Sequence, residues 1–212
     1  GGMNTADTPT RNGLRADLAL ISEWIRPGTR VLDLGCGNGA LMAHLHATKQ
    51  VRGYGLEIDP DNVIASVAAG VNVIQSDLDD GLAQFEDKSF DYVVMSSAIQ
   101  EVAAPDALID DMLRIGHDCI VTFPNFAHWR LRLKIALWGT MPASRALPNR
   151  WYNTPNIHLC TVHDFEALCR EKKADIVRRH FVNHAHRAQA AMRLLPNVLC
   201  EIALYQLRDK PK

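Results

Sequence analysis

The sequence has no long hydrophobic run, no closely paired cysteines, few aromatic residues and almost no net charge. No apolar stretch approaches the length of a bilayer-crossing helix, and no signal-peptide pattern opens the chain. The five cysteines (Cys36, Cys119, Cys160, Cys169, Cys200) are odd in number, scattered, and never in C-x-x-C spacing. That argues against a disulfide framework or a structural zinc, and for a reducing, cytoplasmic setting. Internal repeats and low-complexity tracts are absent as well. Gly1-Gly2 ahead of Met3 reads as an expression remnant and is set aside.

What is present is ordinary globular composition, 47% hydrophobic and 22% charged, and 212 residues suit a single α/β domain spanning 1–212. The net charge of −1 hides an asymmetry. Residues 57–118 carry fourteen acids against two bases, Lys88 and Arg114. Residues 119–163 carry no acids and five bases: Arg130, Arg132, Lys134, Arg145 and Arg150. A solvated face on each part is the bland account; a positive surface for an anionic substrate or an acidic partner is the sharper one.

Elements follow from the periodicity. Leu14, Leu18, Ile21 and Ile25 recur at helical spacing and stop at Pro27-Gly28. A buried strand over 30–34 leads through glycines to a helix over 40–47. A second strand ends at Glu57, and Asp59-Pro60 opens a helix whose buried face is expected at Val63, Ile64 and Val67. A third strand ends near Ser76-Asp77, a fourth covers 91–96, and a fifth covers 119–123. Between the last two, Pro105-Asp106 opens a helix that ends at Gly116. Strands and helices in this alternation imply a doubly wound, mostly parallel sheet, its ligand crevice at the carboxyl ends of the strands. The runs 176–182 and 198–207 are expected to close it as an antiparallel pair at one edge.

Residues 124–160 break the rhythm with three of the four tryptophans, Trp129, Trp138 and Trp151. A connection so long and aromatic is unlike a plain linker, and it reads as an aromatic, basic insertion. Residues 129–138 fit both a strand and a helix pattern; the spacing of Leu131, Ile135 and Trp138 and the good helix formers favour a helix. Thr161 with Asp164 has the form of a helix cap.

The chemistry concentrates in Asp33-Leu34-Gly35-Cys36-Gly37-Asn38-Gly39, a strand ending in an acid followed by three alternating glycines. Glycines there permit a tight turn, and the helix start offers unpaired N–H groups. Gly35-x-Gly37-x-x-Ala40 also meets a loose dinucleotide pattern, but a carboxylate at Asp33 would repel a pyrophosphate and pair with an ammonium group. Glu57, 18 residues past Gly39, suits two ribose hydroxyls, and Asp77 suits an adenine N–H. The loop and its downstream acids resemble those of the class I S-adenosylmethionine (SAM)-dependent methyltransferases, which implies a Rossmann-like fold binding SAM or S-adenosylhomocysteine (SAH). The expected cofactor residues are Asp33, Gly35, Cys36, Gly37, Asn38, Gly39, Glu57, Ile58, Asp77, Leu78 and Ser96. Cys36 is more credibly a small residue contributing its backbone than a nucleophile beside a methyl donor.

Three further segments narrow the resemblance: 75–82 (QSDLDDGL), 123–130 (FPNFAHWR) and 151–161 (WYNTPNIHLCT). Together they look like the methionine-biosynthesis protein MetW family, over about 14–207. That resemblance implies a methionine-pathway protein working beside a homoserine O-acyltransferase. An enzyme would methylate a small acceptor under a lid at 124–160. An accessory module would dock through the same segment, with the cofactor site as a sensor, and would expose Trp129 and Trp138.

Substrate or partner candidates are Gln100, Asn125, His128, Trp129, Tyr152 and His158, with Glu101 beside them; none has an evident activating partner in sequence, and no catalytic residue is assigned. His180, His184 and His186 lack supporting ligands, so no metal site is expected. Five bases without a recognised module give no case for nucleic acid.

Overall fold

The computed structural model describes residues 10–11, 14–144, 147, 149–183 and 190–210. Its sheet strands are β1 (Arg30–Leu34), β2 (Arg52–Glu57), β3 (Val73–Gln75), β4 (Phe90–Ser96), β5 (Gly116–Pro124), β6 (Ala174–Val182) and β7 (Ile202–Asp209). Its helices are α1 (Ala16–Trp24), α2 (Ala40–Lys49), α3 (Pro60–Ala68), α4 (Pro105–Ile115), α5 (Trp129–Trp138), α6 (Val162–Glu171), α7 (Ala190–Leu194) and α8 (Pro196–Leu199).

The sheet runs in the order β3-β2-β1-β4-β5-β7-β6. β3 to β5 are parallel, and β7 pairs antiparallel with both β5 and β6. The antiparallel pair closes one edge as expected, with the later strand inside and β6 outermost. The chain winds from β1 outward through β2 to β3, then returns to the other side of β1 for β4 and β5, and this switch in winding opens a crevice above the carboxyl ends of β1 and β4.

Alternation along β1 splits the core. Leu32 and Leu34 pack with Met112 of α4 and Phe165 of α6; Val31 packs on the other face with Ile21 of α1 and Leu45 of α2. Thr161 caps α6, its hydroxyl accepting the Asp164 amide at 3.2 Å.

Three local readings change. The expected buried face of α3 is largely outside: Ile64 and Val67 are exposed and Ser66 is the buried residue. The cause is the glycine loop, onto which α3 turns its small polar side. The run at 198–207 begins as α8 instead of strand, because Pro196 opens a helical turn that Val198 and Leu199 complete. Leu14 and Arg15 belong to a short hairpin with Thr10–Arg11 ahead of α1. The 129–138 segment is helix α5. His184 and His186 lie outside the described residues.

Candidate functional site

The glycine loop links β1 to α2 with Gly35, Gly37 and Gly39 all at positive φ. At Gly39 (φ +75°) an added Cβ would lie 2.8 Å from the Ser66 hydroxyl, so only glycine lets α3 close on the loop. Ser66 also donates to the Gly37 carbonyl at 2.9 Å. At Gly37 (φ +56°) the opposite holds: a Cβ would meet nothing within 4 Å. The loop is therefore braced from below and open above.

Glu57 ends β2 beside it. Its Oε2 accepts the Gly37 amide at 2.7 Å, and its Oε1 accepts the Ile58 and Asp59 amides at 3.0 Å each. Ile58 then projects outward, 57% exposed, and Leu78 is half-buried near the end of β3. Asp77 caps the turn carrying Leu78, accepting the Asp79 amide at 2.9 Å. Asn38 accepts the Ala40 amide at 3.3 Å across the first turn of α2.

Asp33 is buried on the α1–α2 face of β1. Burial pushes its carboxyl up to about 7; the Arg15 guanidinium opposes that rise and the Glu57 charge adds to it. Arg15 itself grips Asp17 through Nε and Nη2, at 3.2 and 2.7 Å, and Nη1 lies outside that fork. Ser96 donates to Asp17 at 3.4 Å, bringing the end of β4 into the same group. Arg15, Asp17 and Ser66 were not among the residues expected from sequence. Cys36 is buried, and burial followed by the Asp33 charge pushes its thiol up to about 12. It is a packed thiol.

The six substrate or partner candidates separate into three pairs. Gln100 and His158 are joined by a strap: the Gln100 carbonyl accepts the Ile157 and His158 amides at 2.8 and 3.0 Å. The His158 ring lies 3.2 Å from the Ala103 carbonyl. The 157–158 stretch thus crosses the loop after β4, where Glu101 has its carboxyl raised by burial and by the Glu57 charge. Gln100 is buried, and its Oε1 has no hydrogen-bond partner among the described residues. Asn125 and His128 sit past β5. Asn125 is 1% exposed and spends its side chain on the scaffold. It donates to the Asn197 and Cys200 carbonyls (3.1 and 2.9 Å) and accepts the Ala127 and Val162 amides. The His128 imidazole is held below its usual range by burial and Arg130, against Glu201 at 3.8 Å. Trp129 and Tyr152 are exposed.

Helix α5 buries only Leu131 among its residues, leaving Trp129, Leu133, Ile135, Leu137 and Trp138 outside. Among the described residues no His/Cys/Asp/Glu cluster could hold a metal ion, and no helix is long and apolar enough to cross a membrane.

Comparison with known proteins adds the following. The family model described as methionine biosynthesis protein MetW matches residues 15–207. The bifunctional methionine biosynthesis protein MetXA/MetW of Rhodopirellula baltica is 37% identical across 76% of this chain, which spans only 28% of that relative. Among solved structures, an S-adenosylmethionine dependent methyltransferase from Mesorhizobium loti superposes with a TM-score of 0.67 at 18% identity, covering 91% of this chain and 97% of that one. The 4+2 cyclase SpnF superposes with a TM-score of 0.68 at 17% identity, covering 93% of this chain and 83% of that one. These likenesses give the class I methyltransferase fold, and the cyclase among them means that the fold alone does not fix the chemistry.

Proposed function

The chain belongs to the MetW family of methionine biosynthesis, and from that membership we propose that it binds SAM or SAH in the crevice above the carboxyl ends of β1 and β4, beside Glu57 at the end of β2, and works as an accessory partner of a homoserine O-acyltransferase. The observation that carries the cofactor reading is the pairing of an open face at Gly37 with two acids, Glu57 on the Gly37 amide and Asp33 on β1 within reach of the Glu57 charge. The residues present fit the group. Asp33 would hold its ammonium, and Arg15 its carboxylate through the nitrogen left outside the Asp17 fork. Glu57 would accept ribose hydroxyls, Ile58 and Leu78 would flank the adenine, and Asp77 would accept its amino group. Gly35, Cys36, Asn38 and Gly39 would contribute backbone, and Ser96 would close the β4 side.

Two observations support the accessory role. The Rhodopirellula relative carries MetXA and MetW in one polypeptide. In this chain α5 leaves Trp129 and Trp138 exposed (43% and 67%), as a docking module should. Occupancy of the crevice would then report pathway product to the partner. The test is association between the purified chain and a homoserine O-acyltransferase with and without SAM. Tighter or weaker association with SAM supports the reading, and no association in either condition contradicts it.

Methyl transfer is the second reading, favoured by a cavity of about 450 Å³ at the end of β5, one strand from the crevice. When bound, SAM supplies an electrophilic methyl group. The chain's contribution would be orientation beneath the 157–158 strap and exclusion of water, with neutral His128 as a proton acceptor on the cavity wall.

A further inference from the structure

The cavity beyond β5 is built for something that neither SAM binding nor docking requires. Its floor is Pro124 and Asn125, directly after the strand, and Leu131 and Leu147 give it apolar walls. Arg130 and Lys134 line it from α5. Four residues apart on a helix, they lie on one face, where like charges repel and destabilise the helix. No acid within residues 119–163 offsets them. The facing wall supplies one carboxylate, Glu201, beside His128. Among the described residues that line it, two cations stand against one acid above apolar walls, a positive mouth on a hydrophobic chamber. A volume of about 450 Å³ is that of an ordinary small-molecule site.

Nothing lining the cavity belongs to β1, β2 or the glycine loop. It is nonetheless adjacent to the crevice: β5 pairs with β4, and the Thr122 hydroxyl accepts the Ser97 amide at 3.1 Å. We propose that this cavity is a second binding site, for a small organic carboxylate whose apolar body lies on Leu131 and Leu147 and whose anionic end meets Arg130 and Lys134. Inorganic phosphate, with no apolar body, would gain only the charges. The inference stands whether or not a methyl group is transferred.

The experiment titrates the intact chain by calorimetry with hexanoate, succinate and inorganic phosphate at matched ionic strength. Saturable one-to-one binding of hexanoate, at least tenfold tighter than phosphate, is expected. Arg130 and Lys134 are exposed, so the double variant Arg130→Gln/Lys134→Gln should stay folded by circular dichroism and bind hexanoate at least tenfold more weakly. Ala143→Trp, which leaves the charges and fills the cavity, should weaken it as much. Gly37→Val should leave it unchanged, which separates this site from the cofactor crevice. No saturable hexanoate binding, phosphate binding as tight as hexanoate, or full binding in the double variant would overturn the proposal.

Discussion

The Glu57 carboxylate accepts the Gly37 amide at 2.7 Å, so the acid that ends β2 holds the middle of the glycine loop that follows β1. With the Ile58 and Asp59 amides on its other oxygen, Glu57 joins the two halves of the candidate crevice. Hydrogen bonds to a charged acceptor contribute about 1.5–3 kcal/mol each. Glu57→Ala should therefore lower stability by about 3 kcal/mol in urea unfolding, partial resolvation of the freed amides keeping the loss below the sum. SAM affinity should fall at least tenfold. Unchanged affinity would show that the loop is shaped without it.

Asp33 makes the site sensitive to pH. Its carboxyl titrates at about 7 folded and near 4 unfolded. Between those values the folded chain holds a proton that the unfolded chain has lost, so stability falls as pH rises from about 4 to 7 and levels off above. Asp33→Asn should abolish that slope and be more stable than the parent at pH 8. A cationic ligand favours the ionised carboxylate, so SAM binding at pH 7 should release a fraction of a proton. Calorimetry in two buffers of different ionisation enthalpy measures it. Release that persists in Asp33→Asn would contradict the assignment.

Asn125 is scaffold by its contacts: it bonds across to 197 and 200 and to the start of α6. Asn125→Ala strands these buried groups and should cost about 3 kcal/mol in urea unfolding. SAM affinity of the folded protein should be unaltered. A stable variant with weakened ligand binding would return Asn125 to the ligand-contacting residues.

Docking through α5 predicts that Trp138→Ala weakens association with the acyltransferase and leaves SAM affinity alone. Trp138 is 67% exposed, so little stability should be lost. A pull-down that retains the partner undiminished would remove this surface from the account.

The fold was legible where local chemistry and tertiary structure agree. Glycine turns, Pro-opened helices and the Thr161–Asp164 cap declare themselves in sequence, and α5 was readable from residues that favour helices. Ile64 and Val67 misled because an apolar residue is read as buried, whereas α3 is oriented by the Ser66 hydroxyl on the Gly37 carbonyl. Nothing in the spacing of Arg15 and Asp17 announces a site. Folding brings Arg15 near Asp33, and a basic residue at the start of the first helix was the only available hint. The scaffold role of Asn125 is not legible either, since the carbonyls that its amide nitrogen holds lie more than 70 positions away.

Gly37→Val with calorimetric SAM titration bears most directly on the cofactor crevice. The φ of +56° and the empty space above the residue mean that a branched side chain would enter ligand space without striking the protein, though with local backbone strain. The account predicts saturable binding by the parent and none by a folded variant that still associates with the acyltransferase. Equal affinities in parent and variant, or no SAM binding by the parent, would contradict it.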